Sequence, residues 1–137
     1  LHIHFADVKP QVATDTQAYL AWLRPDPSPY LVFGELSDKA ILGRKIFQQE
    51  GCTNCHKGEW MTDLKLHNVG SGSPVDGGVT KFDTPSIVEM WRTGPYLHDG
   101  RATSLKEAFK SENGNTHDIT SLSAPEQEAL IEYVLSL

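Results

Sequence analysis

The 137-residue sequence has only two cysteines, Cys52 and Cys55, which excludes a disulfide-stapled scaffold and a two-pair zinc site. No apolar run approaches the roughly 20 residues that a membrane-spanning helix needs, so no membrane span is expected. There is no run of lysine or arginine and the formal net charge is −6, which argues against nucleic acid as a partner. The acidic balance suits a basic protein partner, and it equally suits ordinary solubility. Apolar residues make up 39% of the chain, less than in an average globular domain, while 8 prolines and 11 glycines interrupt it. A chain of one-domain length with so thin an apolar inventory would gain from a large apolar cofactor in its interior. The opening LHIHFADVKP has no initiator methionine, basic start or apolar leader. It reads as a processed end or as a piece of something longer.

What is present is mostly helical signal. TDTQAYLAWLR, residues 14–24, spaces Ala18, Leu20, Ala21 and Leu23 as a helix does, and RPDPSP stops it with three prolines in five residues. A second helix is expected from about Ser37 through SDKAILGRKIFQQ, with Gly51 as its C-terminal stop. Residues 58–83 are rich in Gly, Ser and Asp and lack periodicity, an unusually long loop unless it wraps something. TPSIVEMWR, 84–92, is expected to form a short helix with Pro85 in its first turn. SLKEAF offers Ser104 and Glu107 as a capping box, and Ser123 and Glu126 repeat the device before a last helix striped by Leu130, Ile131, Val134, Leu135 and Leu137. No strand pair and no internal repeat is visible. The expected class is all-α, with four to five helices and long loops.

The chemistry concentrates in QQEGCTNCHKGEW, residues 48–60. A Cys52–Cys55 disulfide would close a tiny loop and constrain little. A thioredoxin-like dithiol wants a βαβ setting that this chain lacks. Cys-x-x-Cys-His is instead the spacing of covalent c-type haem attachment. Two thiols add to the vinyl groups on one edge of the ring, and His56 reaches the iron as proximal ligand. One haem c is expected, wrapped by the long loops in a cytochrome c-like fold.

FDTPSIVEMWRTGPYLHDGRATSLKEAF, residues 82–109, taken with LGRKIFQQEGCTNCH, 42–56, and the final helix, resembles the C-terminal haem domain of the dihaem cytochrome c peroxidase and MauG superfamily. The resemblance covers about residues 37–137, leaving 1–36 as an N-terminal helix and proline-rich linker, a remnant of a larger protein on this reading. It implies that the helix before the haem motif crosses the last helix, with Gly43 and Phe47 against Leu130, Tyr133 and Val134. The departure is that family peroxidases carry two haems, whereas this chain has one Cys-x-x-Cys-His and matches the relay half.

The other face of the iron decides between carrier and catalyst. The candidates are His2, His4, Met61, His67, Met90, His98 and His117. Met61 lies five residues past His56, a reach of at most ~17 Å, barely enough to pass round the ring edge. Met90 reads most simply as core and is the second choice. His98 sits in the YLHDG turn, where it would hold the loop or a propionate, and His67 lies in the wrapping loop. In the family a methionine ligand follows the LKEA helix. Here the corresponding place near Glu112 holds no ligand type, and NGNTHD brings His117 a few residues later. His117 is therefore the expected distal ligand. Trp91 and Tyr96 are candidates to pack on the ring, or are ordinary core. Arg92 and Arg101 are candidates to pair the propionates. Asp63 and Asp83 are a weak suggestion of a calcium site.

Electron transfer through a bis-histidine, low-potential haem is the expected function, with a redox protein or other domains of a larger polypeptide as partner. The alternative is a haem enzyme of peroxidase type, or a small-ligand sensor, with an open distal face. Covalent haem attachment suits an oxidising compartment, the bacterial periplasm or cell surface.

Overall fold

A computed structural model describes residues 9–110 and 115–137. Four α-helices carry the architecture: α1 (Pro10–Trp22), α2 (Asp38–Gln49), α3 (Leu105–Ala108) and α4 (Ala124–Leu135), with short 3-10 turns between them. The all-α expectation needs one correction. Leu66–His67 (β1) and Phe82–Asp83 (β2) form an antiparallel pair, Leu66 opposite Asp83 and His67 opposite Phe82. Two-residue strands leave no period-2 signature to read. Their register is set from outside by Thr84, whose N–H donates to the Lys65 carbonyl at 3.0 Å and whose carbonyl accepts from the Thr62 hydroxyl at 2.6 Å.

The crossing of α2 and α4 builds the core. Ser37 caps α2 by accepting from the Ala40 N–H at 3.0 Å, and its own hydroxyl donates to Glu132 on α4. Ala40, Gly43, Ile46 and Phe47 then share one buried face. On α4, Ser123 and Glu126 complete a full capping box, with proline in the first turn. That helix buries Ala129, Leu130, Tyr133 and Val134. Gly43 sits where the helices touch: a Cβ there would lie 1.9 Å from the Ala129 carbonyl oxygen, so only glycine permits this approach. Phe47 meets Tyr133 edge to face with centroids 5.3 Å apart. Ile87, Leu105 and Ile119 complete the apolar cluster.

Residues 84–92 differ from the expected helix. Only Met90–Arg92 turns, as a 3-10 turn. Glu89 before it is left-handed at φ 62°, and its N–H donates to the Leu137 carbonyl at 2.9 Å. Thr84, held by the Thr62–Lys65 loop, and Pro85, which disfavours helical geometry at Thr84, keep the segment extended. At the other end, α1 buries none of its residues. The proline segment after it does dock: Ser28 donates to the Leu135 carbonyl at 2.5 Å, and the Asp26 N–H to Glu89 at 2.7 Å.

Candidate functional site

α2 delivers the chain into the Cys-x-x-Cys-His stretch through a sharp reversal at Gly51, left-handed at φ 75°. A 3-10 turn over Cys52–Asn54 follows, closed by the His56 N–H on the Cys52 carbonyl at 2.9 Å. One tight turn thus presents both sulfurs and the imidazole together. The cysteines are free thiols, each half-buried. Burial pushes the Cys52 thiol up to about 11, with Glu50 and Cys55 adding to it.

His56 is oriented by the backbone. Its Nδ1 faces the Met61 carbonyl at 3.1 Å, which makes Nδ1 the protonated nitrogen and leaves the Nε2 lone pair for a metal. The carbonyl reaches it because Met61 is itself left-handed, at φ 50°. Burial lowers the His56 pKa, against the opposing pull of the Met61 carbonyl, Asp63 and the Pro85 carbonyl. Phe47 flanks the ring at 6.5 Å between centroids.

Across from it stands His117, at the end of the 3-10 turn Asn115–His117. The two imidazole centroids are 6.3 Å apart, with planes inclined at 37°. That is too far for stacking. With metal–nitrogen bonds of about 2.0–2.1 Å and roughly 1.1 Å from nitrogen to ring centre, two imidazoles facing one metal ion have centroids a little over ~6 Å apart. Rings on a shared axis are free to rotate about it, so the inclination carries no objection. Burial, and then the neighbouring His56, lower the His117 pKa and favour the neutral, ligating form. A thiol pair, two neutral imidazoles and an apolar wall fit the donor set of covalent haem.

The remaining candidates are occupied in other ways. Met90 packs on the core. Its sulfur accepts from the Thr93 hydroxyl at 3.4 Å and its carbonyl from the Tyr96 hydroxyl at 2.9 Å. Met61 also packs against the core. His98 stacks on Phe82 at 3.8 Å and places Nε2 3.1 Å from both carboxylate oxygens of Asp76, so it holds the loop. His67 pairs with Asp63 at 2.8 Å. Arg92 bonds Asp26 at 2.8 Å and Glu89 at 2.5 Å, while lying 5.3 Å over the Trp91 ring. Arg101 bonds Asp99 and the Ser71 carbonyl, at 2.6 and 2.7 Å. Trp91 is half-exposed, but its Nε1 is enclosed and has no hydrogen-bond partner among the described residues. His2, His4 and Glu112 lie outside the described residues.

Sequence reasoning missed the Met61 carbonyl, the Asp76 partner of His98, and a cluster of Cys55, Asp63 and His67. The ligand atoms of that cluster lie within 4.8 Å of one another. The Asp–x–x–x–His spacing of Asp63 and His67 is the one trace of it in the sequence. Asp83, the other weak calcium candidate, is exposed on β2. Among the described residues, no helix is long and apolar enough to cross a membrane.

No family model matches the chain. It is 27% identical over 149 residues to the hydrazine synthase subunit gamma of Kuenenia stuttgartiensis, covering 76% of this chain and 42% of that protein. It is 32% identical over 89 residues to the methylamine utilization protein MauG of Methylophilus methylotrophus, covering 55% of this chain and 27% of MauG. With the cytochrome-c peroxidase IdrP2 of Pseudomonas sp. (strain SCT) it shares 28% over 147 residues, 74% of this chain and 40% of the relative. A solved structure of Kuenenia stuttgartiensis hydrazine synthase pressurised with xenon superposes with a TM-score of 0.77 at 24% identity, covering 93% of this chain and 55% of that one, and so shares its fold. The homologues are those of the dihaem cytochrome c peroxidase and MauG superfamily, the one whose motifs the sequence resembles. The chain spans less than half the length of these curated relatives.

Proposed function

We propose that this chain is a c-type cytochrome domain that relays electrons through one covalent haem, with His56 and His117 as its two axial ligands. The observation that carries the proposal is the 6.3 Å separation of the two imidazole centroids. Haem, when bound, supplies an iron that takes up and gives back one electron. Cys52 and Cys55 would hold the ring by thioether bonds. The Met61 carbonyl fixes the His56 tautomer, and Phe47, itself locked against Tyr133, limits its movement. A ligand braced in this way needs little rearrangement when the charge changes, which suits a carrier. Two nitrogen donors favour the oxidised metal more than nitrogen with thioether does, so the expected potential is low.

A peroxidase needs a poised acid–base group near the metal. Of the three acid–base candidates, His98 is committed to Asp76 and the Glu107 carboxylate to the Thr103 N–H and hydroxyl at 2.7 and 2.6 Å, while Glu112 lies outside the described residues. Met90, the second choice for distal ligand, has its sulfur facing Thr93. The partner on this reading is a redox protein or another domain of a longer polypeptide, in the bacterial periplasm or at the cell surface.

The test is addition of carbon monoxide to the dithionite-reduced protein. The wild type should leave the gas unbound, whereas His117→Ala should be high-spin before the gas is added and should bind it, turning low-spin. A wild type that binds carbon monoxide directly overturns the closed site and makes an open-faced enzyme or sensor the better reading.

A further inference from the structure

One enclosed negative charge stands beside the proposed point of haem attachment. Asp63 exposes only 4% of its side chain. Its carboxylate, the Cys55 sulfur and a His67 ring nitrogen lie within 4.8 Å of one another. The loop that places it there is the one that braces His56. Met61 and Leu64 are both left-handed, at φ 50° and 53°. The Thr62 hydroxyl clamps the reversal between them, donating to the Thr84 carbonyl at 2.6 Å and accepting from the Leu64 N–H at 3.1 Å. One short segment thus sends the Met61 carbonyl to His56 and the Asp63 carboxylate to Cys55.

The bonds that hold Asp63 favour its ionised form. The Lys65 N–H donates to Oδ1 at 3.1 Å, and His67 Nε2 lies 2.8 Å from Oδ2. Burial pushes the carboxyl up, but hydrogen bonds from His67, Thr84 and the Lys65 N–H outweigh it and hold it at about 2. Among the described residues its ion-pair partner is His67, and no lysine or arginine pairs with it. An imidazole can donate such a bond while neutral, so the bond itself leaves the negative charge in place. Burial lowers the His56 pKa and Asp63 opposes it, so the charge is felt at the proposed axial ligand. A charge enclosed by protein is screened far less than one in water. Charge and burial around a metal are two of the means by which a protein tunes its potential.

We infer that Asp63 sets the potential of the haem: its fixed negative charge beside Cys55 stabilises the oxidised iron, adding to the lowering that two imidazole ligands produce. The inference rests on the haem reading above, on which Cys55 carries the ring. His67 is then a positioning residue that keeps the carboxylate aimed at the attachment point.

The test is a redox titration of the haem-loaded protein at pH 8, where free imidazole is neutral, for wild type, Asp63→Asn and Asp63→Glu. Asp63→Asn should raise the midpoint potential, leaving several times more of the protein reduced at a fixed poise, while the spectrum keeps its bis-imidazole form. Asp63→Glu restores the charge and should return the potential close to wild type. The difference should survive high salt, which screens exposed charges first. Asp15→Asn, the same loss of charge on the exposed helix α1, should leave the potential unchanged. If Asp63→Asn does not assemble, the half-exposed His67 carries the test. His67→Lys sets a positive charge against the carboxylate and should titrate at a higher potential than His67→Gln. Superimposable titrations of wild type and Asp63→Asn, or of the two His67 variants, overturn the inference, as does a potential in Asp63→Glu as high as in Asp63→Asn. Those results in a protein with bis-imidazole haem would sink this inference alone, whereas absence of covalent haem would sink the functional proposal beneath it.

Discussion

At His56 the decisive contact is with main chain. The motif names the proposed ligand, but the Met61 carbonyl holds its Nδ1 and leaves Nε2 free, and it does so because Met61 takes a left-handed backbone. Nothing in a methionine side chain advertises that conformation, so the sequence could nominate Cys52, Cys55 and His56 but not the brace on His56. His117 was legible as a residue type at a suitable distance along the chain. Its nearness to His56 depends on packing around Ile119 and Phe109, which no local pattern encodes. Charged residues allow a prediction at the same scale. The Arg101 guanidinium, helped by the Arg101 N–H, holds the Asp99 carboxyl at about 2. Its unfolded value is about 3.9. A depressed carboxylate stabilises the fold fully above the unfolded value, and the contribution is lost as pH falls towards the folded one. Asp99→Asn should therefore lower the denaturant midpoint at pH 6, and the gap to wild type should close between about pH 4 and pH 2. A gap that is constant across this range would show that the pair contributes nothing through ionisation.

Among the elements, caps and stripes were the readable part. Ser37, the Ser123–Glu126 box and the apolar face of α4 all act where the pattern placed them. At Ser104 the N-cap forms, and the Glu107 carboxylate accepts from the Thr103 N–H and hydroxyl, with the Ser104 N–H also acting on it. The misread segment, 84–92, fails as a helix for tertiary reasons: Thr84 is spent on the neighbouring loop and Glu89 on the end of the chain. Periodicity in a nine-residue window cannot outweigh such bonds. Helix α2 makes the sharper test, since its contact with α4 has no room for a methyl group. Gly43→Ala would place Cβ against a backbone oxygen, which cannot move as a side-chain tip can. The expected cost is about 3 kcal/mol or more, read as a lower denaturant midpoint at unchanged slope. A variant within about 0.5 kcal/mol of wild type would mean that the helices do not cross so closely.

For the whole molecule, the thin apolar inventory now has a physical reading. The α2–α4 crossing supplies one compact core, while the loop from 58 to 83 adds little of its own, leaving Leu64 and Val75 largely exposed. On the proposed reading, such a loop would gain its purpose by closing over the haem. Helix α1 remains apart, with Tyr19 and Trp22 exposed, and the division of the chain near residue 36 is kept as a proposal. The fold was legible as helices around a haem motif; the small β1–β2 pair was not. What unites these levels is the claim that one iron sits between His56 and His117. Electron paramagnetic resonance of the oxidised wild-type protein tests it most directly. The account predicts a wholly low-spin signal of bis-imidazole type, converted to high spin by His117→Ala. A high-spin signal in the wild type, or a low-spin signal untouched by that substitution, would contradict it.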